Sequence, residues 1–210
     1  MSFEYVFTFI AYYVQLLAIM NPFSAIPTFL ALTEGLNRKD IDGIVRKATV
    51  AGLLIVVAFA AAGNYILEAF NVSIAGLRIG GGVILMTIAI DMLGEEVRTK
   101  KMHPGDIAVV PIATPLIIGP GTITTILLLV TSKPGDYSNQ FIVLIAALLA
   151  CITSFTVLRI SEYMVKVLRM STVRALGRFM ALIIAGVAAE MIVHGIRIYY
   201  FEYFAPTSSK

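Results

Sequence analysis

Residues 19–33 read IMNPFSAIPTFLALT, and this stretch places an asparagine and two prolines inside an apolar run long enough to cross a membrane. Proline lacks a backbone N–H and its ring collides with the preceding turn, so a helix kinks or breaks there. Inside a bilayer the carbonyls freed by such a break are costly unless protein, water or a solute satisfies them. A break at this depth is therefore typical of a helix that borders a cavity.

The composition predicts a polytopic membrane protein. Of the 210 residues, 59% are hydrophobic and 14% are charged, and the mean hydropathy is +0.89. A soluble domain of this length could not bury so much apolar surface. The first 20 residues lack a basic region and a small-residue cleavage site, so we interpret them as a first span. The net charge of +3 is too small to indicate nucleic-acid binding, and the single Cys151 excludes an intramolecular disulfide.

The spans and their orientation follow from length and charge. A bilayer core needs about 20 apolar residues as helix. This rule predicts an all-α protein with six transmembrane segments, namely 4–33, 47–69, 73–93, 106–131, 139–160 and 176–204. Twelve Lys and Arg residues lie in the 1–2, 3–4 and 5–6 connectors, against three on the opposite side. Since basic connectors stay in the cytoplasm, we expect a multi-pass protein of the cell membrane with both termini outside.

An internal repeat links the two halves of the chain. NPFSAIPTFLALT (21–33) aligns without a gap with GPGTITTILLLVT (119–131), and IAGLRIGGG (74–82) aligns with RALGRFMAL (174–182). Three spans per copy would make the second copy enter the membrane from the other side, which is typical of secondary transporters. We therefore predict one transmembrane domain, 1–210, with repeat one over about 1–95 and repeat two over about 104–204. The alternative is an accidental match of two apolar helices that contain proline.

The two breaks predict a binding site near the midplane. We interpret Asn21 and Pro22 as the cap and first residue of a half-helix, with GPG (119–121) as the counterpart. Unpaired N–H groups and positive dipole ends at two such termini suit a carboxylate, and loosened carbonyls before the breaks suit an ammonium group. Pro27 is expected to extend the irregular stretch from Asn21 to Pro27. The alternative for both breaks is a proline kink that serves only packing. The predicted substrate-binding residues are Asn21, Pro22, Phe23, Ser24, Pro27, Gly119, Pro120, Gly121, Thr122, Thr124 and Thr125.

Ionisable residues within the segments need partners. Because segments 3 and 6 should run antiparallel, we predict two ion pairs between the repeats, Arg78 with Glu190 and Arg178 with Asp91. These pairs could clasp the repeats, gate transport, or relay protons through Glu190. His194 is interpreted as a packed interfacial histidine. The sequence contains no metal, cofactor or enzyme motif that we recognise, and it leaves open whether H+ or Na+ is the coupling ion.

The motifs NPFSAIP (21–27), GGVILMTIAIDML (81–93) and PLIIGPGTITT (115–125) stand in this order. With them, the chain resembles the MarC family of six-span integral membrane proteins, from segment 1 to segment 6. That family includes SnatA-like transporters, which move glycine, alanine and other small neutral amino acids with an ion gradient. The functional positions that the resemblance implies are Asn21, Pro22, Pro27, Gly119, Pro120, Gly121 and Thr122.

These observations predict a secondary-active transporter of small neutral amino acids rather than an enzyme. A substrate without net charge suits backbone dipoles, because no spare charge lies beside the two motifs. Its expected partners are the amino acid and membrane lipid, with no nucleic acid and an unknown oligomeric state. The alternatives are a passive pore for small neutral solutes, since Asn-Pro at half-helix ends is also an aquaporin arrangement, and a non-transporting membrane scaffold.

Overall fold

The computed structural model describes residues 2–94, 117–133 and 135–203. All regular secondary structure within these ranges is helical, which confirms the predicted all-α class for them. The helices are α1 (Ser2–Met20), α2 (Pro22–Leu32), α3 (Arg38–Ala69), α4 (Ile74–Leu93), α5 (Pro120–Thr131), α6 (Tyr137–Arg159) and α7 (Ser161–Tyr203). The 3–4 connector and the first part of the predicted fourth segment, residues 106–116, lie outside the described residues.

Five helical stretches in these ranges are long and apolar enough to cross a membrane. They are Glu4–Leu32, which joins α1 and α2, and Arg38–Gly63, Ile74–Leu93, Tyr137–Arg159 and Ser161–Phe201. The apolar helix α5 is shorter and corresponds to the second half of the predicted fourth segment. The helices α4 and α6 match the predicted segments 73–93 and 139–160 to within two residues. The described helices thus have the architecture of a multi-pass membrane protein.

Two predicted connectors are helical, so the predicted starts of segments 2 and 6 are wrong. The helix α3 begins at Arg38 instead of residue 47, because the Asn37 side chain caps it by accepting from Asp40 N at 3.0 Å. Charged residues such as Lys, Arg and Glu are good helix formers once a cap is present. The helix α7 begins at Ser161 instead of residue 176, and it kinks at Arg169, where φ is 61° and ψ is 151°.

The helices α4 and α7 form the most extensive helix–helix contact of the described chain. They run antiparallel, since Gly82 lies against the Ala188 carbonyl while Gly195 lies against the Ala75 carbonyl. Both glycines allow the two backbones to approach closely, as small residues do at helix contacts in membranes. The Arg159–Asp42 hydrogen bond of 2.8 Å joins the ends of α6 and α3, which also run antiparallel.

The buried side chains form two clusters. The larger combines residues of α1, α2, α3, α5 and α6, among them Leu16, Phe29, Val56, Ile126 and Phe155. The smaller joins α4 and α7 to the remainder and contains Ile19, Leu85, Ala89, Leu128 and Ile184. The junction of α1 and α2 therefore lies between the two clusters.

Candidate functional site: a broken helix beside a cavity

Asn21 forms the break between α1 and α2, as predicted. Its backbone has φ 37° and ψ 67°, the left-handed region that asparagine tolerates better than most residues. The Asn21 N–H donates to the Leu17 carbonyl at 3.0 Å and so completes α1. Its side-chain oxygen accepts from Ser24 N at 3.3 Å and caps α2, while Nδ2 donates to the Gly177 carbonyl at 3.5 Å. This 2% exposed side chain thus connects α1, α2 and α7.

The first turn of α2 contains N–H groups that do not donate to a backbone carbonyl of the described chain. Pro22 is the first helical residue and has no N–H, and the Ser24 N–H is satisfied by the Asn21 cap. Within the described chain, no backbone carbonyl accepts from Phe23 N. Pro27 lies inside α2, and the helix continues through it to Leu32, so the expected irregular stretch from Asn21 to Pro27 is wrong. Pro27 removes a single hydrogen bond close to the helix start, which is not enough to unwind it.

The helix α5 begins in the predicted place, and we call this start the second break; the helix expected before it, residues 106–116, lies outside the described residues. Gly119 is the N-cap residue, with no side-chain hydrogen bond at the cap, and Pro120 is the first helical residue. The Ile123 N–H donates to the Gly119 carbonyl at 3.2 Å. Among the described residues, no side chain caps the N–H groups of Gly121 and Thr122. These two donors are the orphans expected at an uncapped helix start.

Both breaks lie against one face of α4. At the first break, Asn21 Nδ2 lies 3.9 Å from the Met92 sulfur. At the second, Gly121 packs against Leu85 and Ile88. Leu85, Ile88 and Met92 follow helical spacing, and four residues along a helix correspond to about 6 Å. The two half-helix starts are therefore about one to two helical turns apart along α4.

The hydroxyl groups near the breaks bond to their own backbone. Ser24 donates to the Asn21 carbonyl at 3.0 Å, and Thr125 donates to the Gly121 carbonyl at 2.9 Å. Thr122 donates to the Ile117 carbonyl at 3.2 Å, and this bond crosses the second break. The Ile117 carbonyl lies just before the second break, where carbonyls without a helical partner were expected. Thr122, Thr124 and Thr125 are all at least 93% buried, so this surface faces protein.

A cavity of about 750 Å³ leads to the first break. Its lining residues come from four helices: Ala11, Val14, Gln15, Leu17 and Ala18 from α1; Phe23 from α2; Arg78 from α4; and Met180, Ile183, Gly186, Val187, Glu190, Met191 and His194 from α7. Of the predicted substrate-binding residues, only Phe23 lines it. Asn21 lies two residues before Phe23 and does not line the cavity, and none of the residues 119–125 lines it.

The polar groups of this cavity are Gln15, Arg78, Glu190 and His194. Gln15 was not among the predicted site residues, although a lone amide within the apolar run of α1 was a signal that could have revealed it. His194 was interpreted as a packed residue, but it lies on the cavity wall and its Nε2 is 3.4 Å from the Glu190 carboxylate.

The predicted Arg78–Glu190 pair is not formed in the described part of the chain. Arg78 lies beside Gly195, so it is more than one helical turn past Glu190 on α7. The close contacts of Gly82 and Gly195 determine this register of α4 against α7. The positions of Arg78 and Glu190 in the sequence do not contain that information. Asp91 and Arg178 are sequence neighbours of Met92 and Gly177, which both contact Asn21. These two charged residues thus lie at the level of the first break, and their pairing stays a prediction.

Comparison with known proteins decides the family. The profile described as "MarC family integral membrane protein" matches residues 6–200. This chain belongs to the MarC family. Its NPF…P and GPG motifs therefore form the two half-helix starts of a MarC-family protein.

Relatives in archaea and bacteria match this MarC-family chain along most of its length. A UPF0056 membrane protein of Methanocaldococcus jannaschii is 35% identical, over 90% of this chain and 96% of the relative. The UPF0056 membrane protein YvbG of Bacillus subtilis is 32% identical, over 91% of this chain and 95% of the relative. The UPF0056 membrane protein YhcE of Escherichia coli is 31% identical, over 89% of this chain and 90% of the relative. None of these names specifies a substrate, and no solved structure matches the chain.

Proposed function

We propose that this protein is a secondary-active transporter of small neutral amino acids, driven by an ion gradient, with its substrate held beside the break between α1 and α2. The observation that carries the proposal is the cavity that is lined by Phe23, on the first turn of α2. The Phe23 N–H has no backbone acceptor there, and the positive end of the α2 dipole points the same way. An amino-acid carboxylate is a suitable ligand for such a terminus.

The size and lining of the cavity support a small, largely apolar solute. Alanine, leucine, isoleucine, valine, methionine and phenylalanine side chains make up most of the wall. Ligand sites in proteins combine such apolar walls with a few convergent polar groups. Glycine and alanine carry both charges of an amino acid with little side chain, so they suit the part of the cavity that Ala18 and Phe23 line.

Two inverted repeats would provide the alternating access that a carrier needs. Under this proposal α3 and α6 are equivalent helices, and so are α4 and α7. Each of these two pairs packs antiparallel, as a two-fold axis in the membrane plane requires. The second repeat would bring the Gly121 and Thr122 donors to the opposite side of the same pathway. Both termini would lie outside the cell membrane, because the basic connectors would be cytoplasmic.

Uptake into proteoliposomes tests the proposal. The purified protein is reconstituted, and uptake of radiolabelled alanine is measured under a pH gradient, under a Na+ gradient and with neither. We expect saturable uptake that one of the gradients accelerates. Flux that rises linearly with alanine concentration would indicate a pore, and absence of flux for a panel of neutral amino acids would contradict the proposal.

Variants at the second break provide the matched comparison. The variants Pro120→Ala and Gly121→Leu should abolish uptake while the protein remains inserted and monodisperse, because both change the uncapped start of α5. Gly43→Ala is the control, since an added Cβ there meets open space. Normal uptake by both α5 variants would contradict a role of the α5 start in transport.

A further inference from the structure

Arg78 is a cation on the wall of a largely apolar cavity. Its Nε is buried, and no hydrogen-bond partner for that atom exists among the described residues. A guanidinium group stays protonated in proteins, and buried donors are almost always satisfied. Arg78 also lines the cavity, so its guanidinium group can bind an acceptor that enters the cavity, and a carboxylate suits it best because it can accept two parallel hydrogen bonds.

An anionic group lies on the facing wall. Glu190 precedes Gly195 by five residues on α7, and Gly195 lies beside Arg78, so the two charged residues are offset by about 7.5 Å along the helix axis. The Glu190 side chain is 76% exposed and contacts His194, on its own helix. From α1 the polar group that faces this space is the Gln15 amide, and from α4 it is Arg78.

We propose that Arg78 and Glu190 form an outer docking subsite for an amino-acid zwitterion, which this subsite passes to the break at Phe23. The Arg78 guanidinium binds the carboxylate and the Glu190 carboxylate binds the ammonium group, with His194 holding the Glu190 side chain. The inference rests on the proposed transport function and adds its selectivity rule: a solute must carry both charges. The offset that prevents a direct Arg78–Glu190 pair is what leaves both groups available to the solute.

Transport kinetics of matched arginine variants test this subsite. For Arg78→Gln we expect the KM for alanine to rise about 10- to 100-fold, the range that corresponds to losing a hydrogen bond to a charged group, while kcat changes much less. Compared with Arg78→Gln, Arg78→Lys should restore part of the affinity for alanine, because lysine retains the positive charge but lacks the two parallel N–H donors of a guanidinium group. The control is Arg197→Gln, on exposed α7 surface where the guanidinium lies over Phe201 at 5.7 Å. It should leave KM unchanged.

Competing solutes separate a zwitterion site from a simple anion site. Alanine methyl ester lacks the carboxylate and propionate lacks the ammonium group, so neither should inhibit alanine uptake by the unmodified protein. Glu190→Gln should raise the KM for alanine without creating inhibition by the ester. If propionate or chloride competes as well as glycine, Arg78 binds an adventitious anion only and the proposal is overturned.

A measurement on the unmodified protein avoids dependence on folding of the variants. Phenylglyoxal modifies accessible guanidinium groups, and mass spectrometry of the Arg78 peptide reports the extent. Saturating alanine should protect Arg78 and leave Arg197 unprotected. Saturable uptake without such protection, or with an unchanged KM in Arg78→Gln, would overturn the subsite while leaving the proposed transport function intact. Absence of uptake by the unmodified protein would instead overturn the proposed function.

Discussion

Adding one methyl group at Gly82 should separate α4 from α7. A Cβ at this position would lie 2.8 Å from the Ala188 carbonyl oxygen and 2.6 Å from Ile192 Cγ1. The carbonyl belongs to the α7 backbone and cannot rotate away as a side chain does, so the helices themselves must move. Gly80, two residues earlier on α4, is the matched control, because a Cβ there meets nothing within 4 Å.

The difference between the two variants isolates the packing contribution. Replacing glycine by alanine in a helix favours folding by about 0.5–1 kcal/mol at either position. Gly82→Ala also overpacks a tight contact, which costs about 1–3 kcal/mol. The propensity gain cancels when the variants are compared, so Gly82→Ala should be less stable than Gly80→Ala by about 1–3 kcal/mol. For a chain of 210 residues, each kcal/mol corresponds to roughly 2–4 °C in Tm.

The single cysteine supplies the assay. Cys151 is completely buried in α6, so a fluorogenic thiol reagent reports unfolding as this side chain becomes accessible on heating. We expect Gly80→Ala to melt at or above the Tm of the unmodified protein and Gly82→Ala to melt at least about 2 °C below Gly80→Ala. Equal Tm values for the two variants would refute the close α4–α7 contact at Gly82, and with it the register that separates Arg78 from Glu190.

Three further predictions concern backbone positions. Asn21→Ala should lower the free energy of unfolding by about 2 kcal/mol, because it removes an N-cap and places alanine in the left-handed region, whereas Asn21→Gly should lose less; thermal melts that reverse this order would contradict the cap. Gly121→Leu should abolish alanine uptake, since an added Cβ already lies 2.5 Å from Leu85; uptake at the unmodified rate would contradict a functional second break. Arg169→Gly should raise the Tm, because a non-glycine residue at φ 61° and ψ 151° costs about 1–3 kcal/mol; a lower Tm would show that the kink is not strained.

The positions of the breaks could be predicted because they depend on local chemistry. Proline has no N–H and is favoured at the first helical position, so Pro22 after Asn21 and Pro120 after Gly119 are predicted as helix starts. Asn21 is both a cap and a residue that tolerates positive φ, which the sequence alone suggests. These properties belong to one or two residues, and long-range packing does not alter them.

The helix starts at Arg38 and Ser161 and the cavity wall were not predictable in the same way. Charged connectors were interpreted as loops because membrane insertion depends on apolar length, but helix formation in water depends on caps and propensity. The position of Arg78 beside Gly195 results from contacts between residues distant in sequence. Gln15 and His194 converge on one cavity through the packing of α1 against α7, and hydropathy contains no information about that packing.

Substrate protection of an introduced thiol on the wall of the cavity tests the central claim most directly. Ala18 lines the cavity beside Phe23, whereas Ala147 is completely buried in the core and is the matched control. In Ala18→Cys we expect a small methanethiosulfonate reagent to label the thiol, and saturating alanine to slow that labelling. Ala147→Cys and the unmodified protein should not be labelled. Labelling of Ala18→Cys at the same rate with and without alanine, in a preparation that takes up alanine, would contradict a substrate site at this break.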